Sequence, residues 1–211
     1  MRTEMYLSRI AIDLNNRRAM QALQNPEIMH GMVESCFPGK RDRRLWRLDE
    51  LNGQTWLLVL SADVPDLTPL AAQIAPCGSK AETRDYQRLL DRIQLGSIWH
   101  FRLRANPVVC EPRPDKKRGK IKAITIVELQ NEWLARQGKK NGFLVAPGQY
   151  DVVYSDWLNF RNKGRNLSLL SVTFEGVLTV ADADIFRKAL TEGIGRGKAY
   201  GQGMITVVSR G

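Results

Sequence analysis

The stretch from residue 44 to 61 constrains this chain most: two short apolar runs, Arg44 to Leu51 and Gln54 to Ser61, are parted only by Asn52-Gly53. Both turn residues tolerate positive φ, which the tight connection between antiparallel strands requires, so the pair predicts a hairpin. Upstream, Met5 to Asp13 alternates and is rich in aliphatic residues, predicting a strand. Asn15 to Cys36 carries helical spacing, interrupted where Asn25 caps and Pro26 opens a fresh helix. Downstream, Asp63 to Ala81, with three prolines, reads as loop with one helical turn and a short strand, and Glu82 to Ile93 reads as helical.

A similar order follows. Ser97 to Ala105 alternates cleanly, with Trp99, Phe101, Leu103 and Ala105 on one face and Ile98, His100, Arg102 and Arg104 on the other. Pro112 to Lys122 reads as a basic loop and Ile124 to Gln137 as a helix with an apolar stripe. Gln149 to Phe160 and Ser168 to Val180 are predicted strands joined by the turn NFRNKGRN, in which Arg161, Lys163 and Arg165 surround Gly164. A helix from Asp182 to Glu192, the glycine-rich stretch Gly193 to Gly203 and a strand from Met204 to Val208 complete the chain. Each half thus has the order βαββαβ, which predicts an α+β protein of two tandem ferredoxin-like domains, residues 1–92 and 93–211. A single mixed domain is the alternative. The apolar face around Trp99, and Trp157, are open to a reading as core or as interface, with core the default.

Charge is divided unequally between these halves. Of 32 Lys and Arg and 22 Asp and Glu, residues 1–100 hold 13 and 12, and residues 101–211 hold the other 19 and 10. A net charge concentrated in one half points to a polyanionic partner, because cations that neutralise phosphates release condensed counterions. Nucleic acid leads; an anionic membrane surface and a merely solvated basic face are the alternatives. No apolar run is long enough for a membrane span and no secretory signal opens the chain, so no membrane span is expected and the protein is expected to be cytoplasmic. The cysteines, Cys36, Cys77 and Cys110, are too far apart for a metal knuckle and odd in number for a disulfide framework.

With two histidines and no HExxH, a zinc site is not expected. The stretch GIGRGKAYGQG fits neither a phosphate-binding P-loop, since Ala199 follows Gly-Lys, nor a dinucleotide fingerprint, since it precedes a strand. No cofactor is expected. Gly193, Gly195, Gly197, Gly201 and Gly203 let a backbone pass close to another backbone or to a phosphate, and Arg196 and Lys198 sit within the same loop. Arg113, Lys116, Lys117, Arg118 and Lys120 make the basic loop a second candidate nucleic-acid contact. Imidazole is the side chain that titrates near neutrality unperturbed, so His30 and His100 are the two candidates for acid and base work, and residue physics does not choose between them.

The segments MYLSRIAID, NPEIMHGMVESCFP, RDRRLWRLD, WHFRLRANPVV, VTFEGVLTV and GIGRGKAYGQGMITV, in this order over almost the full chain, resemble the CasE endoribonucleases, the CRISPR repeat-processing subunits of type I-E Cascade. The resemblance implies two ferredoxin-like domains of the RAMP type and binding of the hairpin in each CRISPR repeat. It further implies metal-independent cleavage at the 3′ base of that stem by the 2′-hydroxyl, leaving a 2′,3′-cyclic phosphate. Mature crRNA and other Cascade subunits are the implied partners. His30 occupies the place of the family's catalytic helix histidine, Arg165 matches a basic residue near the scissile phosphate, and Arg161 and Lys163 flank the RNA groove. The chain departs from the family pattern at Glu27, where some members carry tyrosine three residues before the histidine. A carboxylate there repels phosphate, which keeps a catalytically silent hairpin-binding subunit as the alternative, and at this spacing it would favour the imidazolium form of His30.

Overall fold

The computed structural model describes residues 4–39, 42–112 and 119–209. The first half runs β1 (Tyr6–Ala11), α1 (Arg17–Gln24), α2 (Pro26–Ser35), β2 (Leu45–Leu51), β3 (Gln54–Ser61), α3 (Thr68–Ile74), β4 (Glu82–Asp85) and α4 (Gln87–Leu90). Its strands form one antiparallel sheet ordered β2-β3-β1-β4, a ferredoxin-like arrangement. Two asparagines set the helices. Asn16 Oδ1 accepts from the amides of Arg18 and Ala19, and Asn25 Oδ1 accepts from that of Glu27 with Pro26 at the first helical position. Ala19, Ala22, Met29, Met32 and Val33 then bury against Ile10, Leu57 and Val59 of the sheet. Asn52 and Gly53, at φ 53° and 72°, make the expected turn.

Glu82 to Ile93 is not one helix. Glu82–Asp85 is instead an edge strand on β1, where Glu82 pairs with Arg9 at 2.8 Å and the Thr83 and Ser8 hydroxyls meet at 2.9 Å. Only Gln87–Leu90 is helical. These cross-strand bonds outweigh the local helical pattern.

The second half runs β5 (Ile98–Ala105), β6 (Val108–Glu111), β7 (Lys120–Ala123), α5 (Val127–Lys140), β8 (Phe143–Leu144), β9 (Tyr150–Asn162), β10 (Arg165–Val180), α6 (Ala183–Glu192), a 3-10 turn (Lys198–Tyr200) and β11 (Ile205–Ser209). The order is β11-β5-β10, with β8 and β9 both paired to β10, so the ferredoxin-like arrangement recurs. Trp99, Phe101, Leu103 and Ala105 are buried, and Trp133 stacks on Phe174 with ring centroids 6.1 Å apart. Trp157, by contrast, is 44% exposed on β9 and belongs to no core. Lys120 to Lys122, expected in a loop, lie in β7, paired with β6.

The hairpin tip is tighter than its sequence suggests. β9 continues to Asn162 and β10 begins at Arg165, so the turn consists of Lys163 and Gly164 at φ 48° and 78°. Arg161 and Arg165 are therefore strand residues with fixed, opposite facings.

Leu45, Leu60, Tyr86, Leu90 and Ile93 of the first half join the core of the second. At this junction Arg47 of β2, 1% exposed, donates to both Asp49 carboxylate oxygens at 2.7 and 2.6 Å, to the carbonyls of Arg102 and Met204, each at 2.9 Å, and to the Thr206 hydroxyl at 2.7 Å. Among the described residues no helix is long and apolar enough to cross a membrane.

Candidate active site

The buried stripe of α2 is Pro26, Met29 and Val33, with Met32 beside it. Glu27 and His30, three residues apart, share the adjoining face and are half-buried. His30 Nδ1 is buried with no hydrogen-bond partner among the described residues. The Glu27 carboxylate is engaged by Asn162: the Asn162 Nδ2 group donates to Glu27 Oε2 at 2.9 Å and also to the Tyr200 hydroxyl at 2.7 Å.

Those two bonds join three elements. α2 comes from the first half, while Asn162 ends β9 and Tyr200 ends the 3-10 turn in the glycine-rich loop. All five glycines of that loop have positive φ, and two of them decide its position. Gly197 and Gly201 bracket the turn in the left-handed region. A Cβ on Gly201 would come within 2.6 Å of the Trp46 ring, and one on Gly197 within 2.9 Å of Leu169. No other residue type fits both that backbone and that space. The loop is thereby pressed between β2 and β10, with the Tyr200 ring against Phe160 at 4.7 Å between centroids.

Arg165 is the direct ladder partner of Asn162, and cross-strand partners share a face. Its side chain therefore lies on the same side of the ribbon as the Asn162 amide that reaches α2. Arg161, paired with Asn166, lies on the other side, and Lys163 stands at the tip. All three cations are exposed. Arg196 is exposed in the loop and bridges to Asn106. Burial, with the Arg43 guanidinium nearby, holds the Lys198 ammonium below the usual lysine range, partly offset by Glu192.

Other candidates lie elsewhere. Lys120 is on the β6–β7 ribbon, a sheet separate from the one carrying Arg161 and Arg165. Arg113, Lys116, Lys117 and Arg118 fall outside the described residues. His100 is exposed on β5 and lines a cleft of about 570 Å³ between the two sheets with Arg9, Asp49, Arg102 and Glu175. None of the residues lining that cleft comes from α2, β9 or the glycine-rich loop. Asn162 and Tyr200 are the residues that the sequence reading did not single out. Their one local signal is position, a polar residue at a strand end and an aromatic one between turn glycines; their meeting is tertiary.

The curated Thermus thermophilus protein "CRISPR-associated endoribonuclease Cse3" is 29% identical to this chain, covering 96% of it and 99% of the relative. The Escherichia coli protein "CRISPR system Cascade subunit CasE" is 28% identical over 96% of this chain and 98% of its own. The solved structure of Thermus thermophilus Cse3 bound to an RNA representing a pre-cleavage complex superposes with a TM-score of 0.82 at 26% identity, covering 97% of this chain and 99% of that one. The family model described as CRISPR associated protein matches residues 5–209, and the chain belongs to that family.

Proposed function

We propose that this protein is an endoribonuclease that binds the hairpin of a CRISPR repeat and cuts the precursor RNA at the 3′ base of its stem. The observation that carries the reading is the junction itself: a half-buried helix histidine beside a basic hairpin and a glycine-rich loop, in a chain that aligns end to end with an endoribonuclease solved in a pre-cleavage RNA complex. The tip, turning in two residues, is narrow enough to enter a stem end, where the deep and narrow A-form major groove opens. The protein then stays with the mature crRNA among other Cascade subunits in the cytoplasm, and residues 1–92 and 93–211 act as its two domains.

In the reaction the 2′-oxygen bonds to the adjacent phosphorus as its proton departs, and the bond from phosphorus to the 5′-oxygen breaks as that oxygen gains a proton. The products are a 2′,3′-cyclic phosphate and a 5′-hydroxyl. His30 Nε2 serves one of the two proton transfers and Arg165 faces the charge that grows on the phosphate. A single 2′-deoxy nucleotide just upstream of the scissile phosphate should leave binding intact and block cleavage, and EDTA should leave cleavage of the all-ribose hairpin unchanged. Cleavage of the deoxy substrate, or activity lost in EDTA and restored by magnesium, would sink the metal-free route.

The second reading, a silent RNA-binding subunit, is favoured by Glu27, whose charge faces the same junction. It predicts binding without a cyclic-phosphate product in the same assay. Under either reading the tip supplies affinity. Replacing Arg161 and Lys163 together by Ala should weaken hairpin binding and flatten the slope of log K against log salt by roughly one per lost phosphate contact. Equal slopes in the two proteins would show a solvated turn and nothing more.

A further inference from the structure

Glu27, Asn162 and Tyr200 are connected in one direction only. An ionised carboxylate accepts hydrogen bonds and cannot donate them. Asn162 must therefore turn its NH2 group, and not its carbonyl, toward Glu27. The same nitrogen lies 2.7 Å from the Tyr200 oxygen, so its second hydrogen goes there. This orientation leaves Asn162 Oδ1 buried without a partner, a cost that the charge of Glu27 outweighs.

Tyr200 Oη is thus an acceptor inside the protein, and its own hydrogen has to point elsewhere. Among the described residues none accepts it. Phe160 packs on the ring, and Gly197 and Gly201 set the turn that carries it. What remains is a phenol donor without an acceptor among the described residues, at a junction where Arg165 shares the ribbon face of Asn162 and Lys198 stands two residues before the tyrosine. An anionic oxygen is the acceptor such surroundings favour.

We propose that Tyr200 is a catalytic residue that donates its phenol hydrogen bond to a non-bridging oxygen of the scissile phosphate, and that Glu27 and Asn162 are positioning residues that force it to donate. This rests on the endoribonuclease reading and gives Glu27 a task there: it does not touch the phosphate but sets the polarity of the bonds leading to it. A donor placed where negative charge grows is worth more in the pentacoordinate transition state than in the ground state.

The test is single-turnover cleavage of the repeat stem-loop RNA from the source genome's own array, with either a natural scissile phosphate or one of its two phosphorothioate diastereomers. Tyr200→Phe keeps the ring on Phe160 and removes only the donor. It should bind the hairpin as the unsubstituted protein does and cleave the natural phosphate on the order of 10²-fold more slowly, the usual loss for one such donor. The unsubstituted protein should also be slowed by sulfur at one of the two oxygens and not the other, and Tyr200→Phe should lose that preference, which a merely structural role would not alter. Glu27→Ala should slow cleavage in the same way, and Glu27→Gln should recover part of the rate, because a glutamine carbonyl still accepts from Asn162. A Tyr200→Phe protein with unchanged rate, with unchanged diastereomer preference, or with weakened binding in place of a slower step would overturn the assignment while leaving the nuclease reading intact. Failure of the unsubstituted protein to cleave at all would overturn both.

Discussion

His30→Ala should bind the repeat hairpin nearly as well as the unsubstituted protein and cleave it roughly 10² to 10⁴-fold more slowly, the range ordinarily lost with a positioned acid or base. Binding should survive because the cations proposed to meet the RNA stand on other elements: Arg161, Lys163 and Arg165 on the ribbon, Arg196 and Lys198 in the glycine-rich loop. The helix should survive as well, since its start depends on the Asn25 cap and Pro26 and its packing on Met29, Met32 and Val33. His100→Ala is the control. It removes an imidazole of the same intrinsic chemistry from a different cleft and should change the rate by no more than a few-fold. Equal losses in the two variants, or a larger one at His100, would show that the reacting phosphate does not sit at α2.

What the sequence disclosed about the fold was what local chemistry decides. Asn25-Pro26 and Asn52-Gly53 force a helix start and a turn whatever surrounds them, and both stand where expected. β4 escaped because nothing local defines it: Glu82–Asp85 is largely exposed, carries no apolar alternation, and is a strand only because β1 offers it an edge. β6 and β7 escaped likewise, each being four residues long and paired only with the other. At the hairpin tip, charge and glycine suggested a wide turn, whereas continued pairing carries both strands to within two residues of each other. Facing is what this changes. It separates Arg161 from Arg165, which a loop would have left equivalent.

The candidate site was legible where a motif spans it and illegible where two halves meet. His30, Arg165 and the glycine-rich loop each stand in a recognisable segment. That Glu27 would be held by Asn162, 135 residues away, is written in neither segment. At its spacing from His30, Glu27 was expected to act on the imidazole; it also accepts a hydrogen bond from Asn162, whose amide joins it to Tyr200.

Arg47→Ala should be the most destabilising single change among these, by about 3–5 kcal/mol, because it breaks a buried pair by removing one partner. The guanidinium sits at the junction of the halves and every one of its bonds is made inside the protein. Without it the Asp49 carboxylate, 8% exposed as a residue, keeps Arg102 at 3.7 Å as its remaining ion pair among the described residues, and the carbonyls of Arg102 and Met204 lose a buried donor. For a chain of this size each kcal/mol lowers Tm by roughly 2–4 °C, so a fall of about 6–20 °C is expected by calorimetry or circular dichroism. Replacing the pair together, Arg47→Met with Asp49→Leu, should recover much of it, since an apolar pair of similar volume often equals a buried ion pair. A loss below about 1 kcal/mol for Arg47→Ala, within the ordinary range for surface changes and mild substitutions, would mean that the halves are held by their shared apolar core alone. The consequence extends to the site, because β2 carries both Arg47 and Trp46, the ring on which Gly201 rests. Below its lowered Tm, Arg47→Ala should therefore also cleave more slowly than the double variant, as the loop bearing Tyr200 loses the strand it is pressed against.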